Sequence, residues 1–540
     1  MKIDSALLQH KDELQAKNYL LPTYDVEAVK AATFARPKWV HMGAGNIFRA
    51  FPAACQQHLL NNGHAETGIV VAEGYDTEIV DFLRNHGGYT INATLKSDGA
   101  FQKEIIASLA EFIKADKNSP EDYARLVDIF KSESLQMVSM TITEKGYSLV
   151  DSRGAQLKLV NEEIAGGPTS AQSYIGRLAS LLFERFNAGA YPIAMVSMDN
   201  MSSNGKILRD SVLKIANGWL AADHVGADFV SYISDEAQVS FPWSMIDKIT
   251  PRPATKIEEA LIADGLEDIA PIMTSKNTFI APFVNAEETQ YLVIENNFPN
   301  GRPALEHAGV IFTDRDTVNK VETMKVTTCL NPLHTALAIY GCLLDYTLIS
   351  AEMTNPNLVN LVKTLGYKEG LPVVVNPGIL DPKEFLDVVL EKRFPNPYIP
   401  DSPQRIASDT SQKLSVRFGE TVKSYQKSDT LRVDELEAIP FVFAGWLRYL
   451  MAVDDLGNAF ELSPDPLLAE LTPIFKDISL WPDRENTKDY SELLKSILSN
   501  AKIFGVNLYD AGLADKVISI LGELTAGFGA VQNTLAKYFS

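Results

Sequence analysis

Apolar positions along this chain follow two patterns. Up to about residue 310, short apolar runs alternate with longer stretches of helical period. WVHM (Trp39 to Met42), TGIVVAEGYD (67–76), LQMVSMTITE (135–144) and AYPIAMVSMDN (190–200) read as strands, and SYIGRLASLLFERFNAG between the last two reads as a helix. Such alternation predicts an α/β fold with a mainly parallel sheet and helices on both faces. Residues 1–36 read as a helical lead-in, and TFIAPFVNA and YLVIENNFPNGRPALEHAGVIF add strand-like stretches. Beyond about residue 310 the period is helical almost throughout: LHTALAIYGCLLDYTL, LVNLVKTLGY, PKEFLDVVLEKRF, ELEAIPFVFAGWLRYLMAV, DPLLAELTPIF, SELLKSILSN and DKVISILGELTAGFGAVQNTLAKYF.

The segment PKWVHMGAGNIFRAFPAACQQHLLNN predicts a strand, a glycine turn and one amphipathic helix through Leu60, the order in which a dinucleotide fold opens. Gly43 and Gly45 permit a tight turn and close backbone approach, so that a pyrophosphate can rest at the helix start formed by Asn46, Ile47, Phe48 and Arg49. Phe48 stands where the fingerprint has its third glycine. Glu73 and Asp76 end the second strand, where a ribose-binding carboxylate is expected, and an acid there favours NAD over NADP. Glu144 and the Asp199–Asn200 pair follow later strands, at the edge where open α/β sheets bind ligands; ordinary turn chemistry would use the same residues. The expected organisation is a Rossmann-like NAD-binding domain over 1–310 and a mostly helical substrate-binding domain over 311–540.

Chemistry concentrates in DRDTVNKVETMKVTTCLNPLHTALAIYG, residues 314–341. Thr313 or Asp314 caps a helix carrying Val318, Val321 and Met324 on one side, with Glu322 and Lys325 three residues apart and therefore neighbours. Lys325 ends that helix, Pro332 cannot continue it, and Asn331 reads as the N-cap of the next. A surface ion pair, a capping amide and a core histidine would account for these residues. A lysine held against Val326, Leu330 and Leu333 is instead partly desolvated, which suits it to proton transfer, with Asn331 and His334 binding oxygens beside it. In NPYIPDSPQRIASDTSQKLSVRFGET, Arg405, Asp409 and Lys413 are spaced by four and predict one helix face, either solvated or aiming cations at substrate hydroxyl or carboxylate groups.

Composition narrows the partners. The chain has 540 residues, 46% hydrophobic and 22% charged, enough for two or more ordinary globular domains. A net charge of −20 argues against nucleic acid or an anionic membrane surface but leaves room for an anionic small substrate. Cys55, Cys329 and Cys342 form neither a disulfide framework nor a zinc pattern, the N-terminus is too polar for a signal peptide, and no apolar run is long enough to span a bilayer. The expectation is a soluble cytoplasmic protein with no metal site, and nothing in the sequence specifies an oligomeric state.

Taken in order, HMGAGNIFRAF, TITEKGY, MDNMSSNG, FPWSMIDKITP, VIENNFPNGRP, MKVTTCLNPLH and QRIASDTSQK resemble the successive signatures of the polyol-specific long-chain dehydrogenases, the mannitol dehydrogenase family that includes fructuronate and tagaturonate reductases. The resemblance implies reversible, NAD(P)-dependent, metal-independent hydride transfer between a ketose or keto-uronate and its alcohol. By it Lys325 matches the catalytic lysine, Asn200, Asn331 and His334 match oxygen-binding residues, and Glu322 a carboxylate one turn before the lysine. Asp247, Arg405 and Lys413 match substrate contacts. Two departures stand out. Asn331 lies six residues after Lys325, where the family has five, and GNIFRAF is nearer the GNFLRAF of tagaturonate reductases than the commoner GFHRAH. The expected activity is that of a hexuronate oxidoreductase (fructuronate/mannonate or tagaturonate/altronate). The alternatives are a neutral polyol 2-dehydrogenase and an NAD-binding regulator without catalysis.

Overall fold

The computed structural model describes residues 1–151, 153–475 and 490–540. Two compact units emerge: Met1–Lys96 with Ala100–Asn319, and Ser97–Gly99 with Lys320–Ser540.

The first unit is built on six parallel strands: β1 (Trp39–Met42), β2 (Ile69–Glu73), β3 (Leu109–Lys114), β4 (Met137–Met140), β5 (Ile193–Ser197) and β6 (Val239–Ser240). Their spatial order is 3-2-1-4-5-6, the doubly wound dinucleotide-binding arrangement. Val40 faces Val70 on one side and Val138 on the other. Because side chains alternate, Val40, Met42, Val70, Val138 and Met140 enter one apolar core, while Trp39, Val71, Met137 and Val196 enter the other. With helices over both faces the strands are apolar at nearly every position. That is the pattern the sequence carries.

Three local expectations change. The helix after the glycine turn is broken into Asn46–Ala50 and Pro52–Asn61, with Phe51 between them at φ −127°, ψ −72°. A residue before proline is pushed out of the helical region, and Pro52 starts a new helix rather than continuing one. The strands expected over 135–144 and 190–200 stop at Met140 and Ser197, and Glu144 sits in a short helix, Thr143–Tyr147. The lead-in, mainly helical, also contributes Tyr19–Leu20 to a second sheet. That sheet pairs Thr90–Leu95 with Phe101–Ile106 and, in parallel, with Phe283–Glu287. The Asn46–Ala50 helix packs on it. A third sheet holds Ser244–Asp247 antiparallel to Tyr291–Glu295.

The second unit is helical. Asn331–Leu343 and Ala438–Tyr449 are buried almost all round and form its centre, with Tyr340 donating to the carbonyl of Phe441 at 2.7 Å. A Cβ on Gly445 would meet the Tyr340 ring at 2.5 Å, so the glycine is what admits the ring. Among the described residues four π-turns interrupt its helices: Lys325–Cys329, Thr364–Gly370, Val389–Arg393 and Ser415–Gly419. The first of them packs against the second and the fourth. π-turns of this kind concentrate at functional sites.

Candidate active site

In the first unit the site begins where β1 and β4 diverge, the topological switch point of the sheet. Gly43 has φ +102°, and a Cβ there would lie 2.5 Å from the carbonyl oxygen of Thr141. Only glycine fits. A Cβ on Gly45 would meet nothing within 4 Å, so the turn is open on that side. The Ala44 N–H between them donates to Glu73 Oε2 at 3.0 Å, while Glu73 Oε1 accepts from the N–H groups of Tyr75 (2.8 Å) and Asp76 (3.2 Å). Glu73 is therefore committed to the turn itself. Burial raises its carboxyl and those N–H donors oppose the shift. Asp76 Oδ2 accepts from the Thr274 hydroxyl at 2.5 Å, and its buried Oδ1 has no hydrogen-bond partner among the described residues.

Beneath the turn His41 stacks on Phe48, ring centroids 3.8 Å apart. The Trp39 indole donates to Ser139 Oγ (2.7 Å), and the His41 ring nitrogens are hydrogen-bonded to hydroxyls, Nδ1 with Ser139 Oγ (2.6 Å) and Nε2 with Thr141 Oγ1 (3.0 Å). Burial holds His41 neutral, well below the usual histidine range. Arg49, 1% exposed, donates to the carbonyl of Ala281 (2.8 Å) and to Asn46 Oδ1 (2.9 Å), and burial pushes its guanidinium down to about 9. Ile47 shares the short helix, and Phe48 is fully buried below it. The open Gly45, the Gly43 cradle and the unpartnered Asp76 oxygen fit a dinucleotide lying across the strand ends.

Asp199, expected with Asn200 at a strand end, organises the next loop. Its Oδ2 accepts from Ile142 N–H and its Oδ1 from Thr143 N–H, both at 2.9 Å, and Tyr147 donates to Oδ2 at 2.6 Å. Thr143 is thereby held at φ +62°. Glu144 and Asn200 come together here, lining one groove of about 580 Å³ with Tyr147, Ser148 and Met201. Asn204 ties that loop to the third sheet: its amide donates to the carbonyls of Asp199 and Ser244, each at 3.0 Å. Asp247 is buried at the end of the Ser244–Asp247 strand, opposite Tyr291.

In the second unit the Lys325 segment differs from the expected helix break. Asp314 does cap Arg315–Met324, accepting from the Thr317 N–H at 2.9 Å and its hydroxyl at 2.8 Å. Lys325 then opens a π-turn instead of ending the helix, and the Leu330 N–H reaches the Lys325 carbonyl at 3.1 Å, a five-residue step. A π-turn holds one residue more than an α-turn, and that is how the six-residue spacing from Lys325 to Asn331 is absorbed. Lys325 is 5% exposed, and Glu322 lies one helical turn before it. Asn331 is not an N-cap: Leu330 holds that place, and among the described residues the Asn331 side-chain amide makes no hydrogen bond.

His334 Nε2 lies 3.4 Å from Asp401 Oδ2, and Asp401 Oδ1 is ion-paired with Arg405. The His334 contact has ion-pair distance without hydrogen-bond alignment. Burial lowers His334, with Arg417 and Arg393 adding to the effect and Asp401 opposing it. Burial raises Asp401, but His334 and Arg405 together hold it below the usual carboxylate range. The expected single face of Arg405, Asp409 and Lys413 does not form, because Asp409 takes a left-handed conformation at φ +54° between Pro403–Ile406 and Thr410–Leu414. Arg405 consequently pairs backward with Asp401, and Lys413 Nζ donates to the carbonyls of Ile406 (3.2 Å) and Ser408. Asp401 and Arg417 were not singled out by sequence; only the basic spacing around Lys413 hinted at the second.

Comparison with known proteins gives the family. The mannitol dehydrogenase Rossmann domain matches residues 37–307 and the mannitol dehydrogenase C-terminal domain matches 317–524. The chain belongs to the mannitol dehydrogenase family. It is 50% identical to a D-mannonate oxidoreductase of Thermotoga maritima, covering 96% of this chain and 95% of that one. It is 31% identical to a D-mannonate oxidoreductase of Escherichia coli, over 82% and 87%. The mannitol 2-dehydrogenase of Pseudomonas fluorescens, solved as a ternary complex with NAD and D-mannitol, superposes with a TM-score of 0.69 at 25% identity, covering 99% of both chains. This member of the family is a nicotinamide-dinucleotide-dependent oxidoreductase acting on a small molecule. Among the described residues no helix is long and apolar enough to cross a membrane.

Proposed function

We propose that the chain is a hexuronate oxidoreductase, interconverting a keto-hexuronate and its aldonate (fructuronate and mannonate, or tagaturonate and altronate). The observation that carries this reading is the 50% identity to a D-mannonate oxidoreductase over nearly the whole of both chains. When bound, the dinucleotide supplies or accepts the hydride. Lys325 does the proton work: in reduction its ammonium donates a proton to the carbonyl oxygen as that oxygen becomes an alkoxide, and in oxidation the amine takes the hydroxyl proton. Asn331 supplies an N–H donor to the same oxygen, a contribution of roughly 3 kcal/mol per donor. His334, oriented by Asp401, holds a neighbouring substrate hydroxyl. Glu322 is proposed to relay the lysine's proton, and Asn200, Asp247, Arg405 and Lys413 to serve as substrate contacts by family resemblance.

NAD is the proposed coenzyme. Asp76, just past the end of β2 with one oxygen unpartnered among the described residues, supplies the carboxylate that accepts ribose hydroxyls and disfavours an added phosphate, and Glu73 holds the turn beside it. Cys55, Cys329 and Cys342 are free and buried, as suits the reducing cytoplasm proposed for it.

The test follows nicotinamide absorbance with fructuronate, tagaturonate, fructose and mannitol, each with NAD(H) and NADP(H). Turnover of a uronate well above the neutral sugars is expected. Turnover of fructose and mannitol alone would make the chain a polyol dehydrogenase, and tight coenzyme binding without turnover would make it a regulator. Lys325→Ala should lower kcat by about a hundredfold or more while leaving coenzyme affinity intact.

A further inference from the structure

The cations of the second unit are unequally matched. Arg405 has Asp401, and Lys413 turns back on two carbonyls. Arg417, on the Ser415–Gly419 π-turn, is different. Its Nη1 donates to Thr335 Oγ1 and, at 3.5 Å, to the carbonyl of Asn331, which places the guanidinium over the first turn of the Asn331–Leu343 helix, beside His334. Among the described residues no carboxylate pairs with it, and Nε and Nη2 have no hydrogen-bond partner. Burial alone pushes it down to about 10. A desolvated cation without a counter-ion costs free energy that an incoming anion recovers. The uncommitted Nε and Nη2 form the side edge of the guanidinium, whose two parallel N–H bonds match the two oxygens of a carboxylate.

We propose that Arg417 is the carboxylate anchor of this site: its Nε–Nη2 edge binds the acid group of the sugar-acid substrate and selects it over neutral ketoses and polyols. The inference rests on the hexuronate reading and deepens it. Arg405, expected from sequence for that role, is tied to Asp401, so its charge orients His334. Arg417 is anchored through Nη1 on the backbone carbonyl of Asn331 and the hydroxyl of Thr335, the two residues that flank the first turn carrying His334.

The experiment compares full-length wild type with Arg417→Gln and Arg417→Lys, measuring kcat and KM for the uronate turned over by wild type and for fructose, with coenzyme affinity read by nucleotide fluorescence. Arg417→Gln is expected to lose about a hundredfold in kcat/KM on the uronate, the size of loss when one partner of a desolvated charge pair is removed. Most of it should appear as raised KM, and it should exceed the loss on fructose at least about tenfold. Arg417→Lys keeps charge but not the fork, and should fall between. Equal losses on both substrates, or a fall in kcat at unchanged uronate KM, would refute the anchor while leaving the hexuronate reading intact. A wild type that reduces fructose and no uronate would overturn both. Coenzyme affinity and melting temperature kept near wild type exclude misfolding as the source of a selective loss.

Discussion

Replacing Gly43 and Gly45 by alanine separates what the glycine turn does for folding from what it does for the coenzyme. At Gly43 a methyl would sit 2.5 Å from the Thr141 carbonyl oxygen, about half an ångström inside the closest approach real side chains make, and φ is +102°. Thr141 cannot simply move, because its N–H is bonded to the Met42 carbonyl at 3.0 Å and holds β1 to β4. Backbone strain at positive φ costs about 1–2 kcal/mol and forcing a fixed backbone atom aside costs a similar amount, so Gly43→Ala should destabilise the first unit by about 2–4 kcal/mol. At Gly45 the added methyl meets nothing within 4 Å and φ is −69°, so Gly45→Ala should change stability by less than about 0.5 kcal/mol. If the turn holds the pyrophosphate as the fingerprint implies, the methyl would stand where the phosphates approach the backbone, and coenzyme affinity should fall at least about tenfold. The assay is urea denaturation of each variant alongside a titration of NADH fluorescence. A Gly45→Ala protein that unfolds as early as Gly43→Ala, or one that binds NADH like wild type, would refute the reasoning.

Other consequences can be checked directly. Asn331→Ala should lower kcat about a hundredfold, the worth of one transition-state donor, yet shift the denaturation midpoint little, because the amide is not used in folding; a large stability loss would restore it to a capping role. Arg185 is fully buried and donates to the carbonyls of Phe130, Ser132, Leu135, Tyr191 and Pro192; three of them keep a second donor (Leu135 N–H on Ser132, Asn300 on Leu135, Tyr232 on Tyr191), so Arg185→Leu strands the carbonyls of Phe130 and Pro192 and should cost about 2–4 kcal/mol in urea denaturation. His41 is held well below its usual range in the folded chain. Below about pH 6.5 the unfolded chain therefore binds a proton that the folded chain does not, and stability falls with pH by up to about 1.4 kcal/mol per unit. Stability measured from pH 7.5 to 5 should drop less steeply in His41→Gln; an unchanged slope would place the acid sensitivity elsewhere.

Much of the first unit was legible because its signals are local. Trp39–Met42 and Ile69–Glu73 are short runs buried on both faces, and the sequence needs no partner to announce them. Gly43 declares a conformation that other residues avoid. The strands Thr90–Leu95 and Phe101–Ile106 escaped notice, since their apolar positions gain meaning only from a sheet completed by Phe283–Glu287, nearly two hundred residues on. Glu73 was read correctly as an acid at a strand end, but its commitment to three backbone N–H groups depends on how the chain turns after it.

In the second unit the roles proposed for Lys325, Asn331, His334, Arg405 and Lys413 come from their order along the chain, because signature spacing is a property of sequence. Their partners were not. A stretch spaced by four predicts one helix face only if the helix runs unbroken, and the left-handed Asp409 breaks it. That break gives Arg405 to Asp401, and Asp401 to His334. The π-turn likewise converts a six-residue spacing into a geometry no helical wheel would give, and frees the amide that a proline-based rule assigns to capping. Sequence alone determined the fold class and the glycine turn, and it supplied the residues proposed here as reacting groups, for these follow from periodicity, steric permission and spacing. Which charges are cancelled and which remain free, Arg417 above all, was decided by tertiary structure, because charge balance depends on neighbours that chain distance does not reveal.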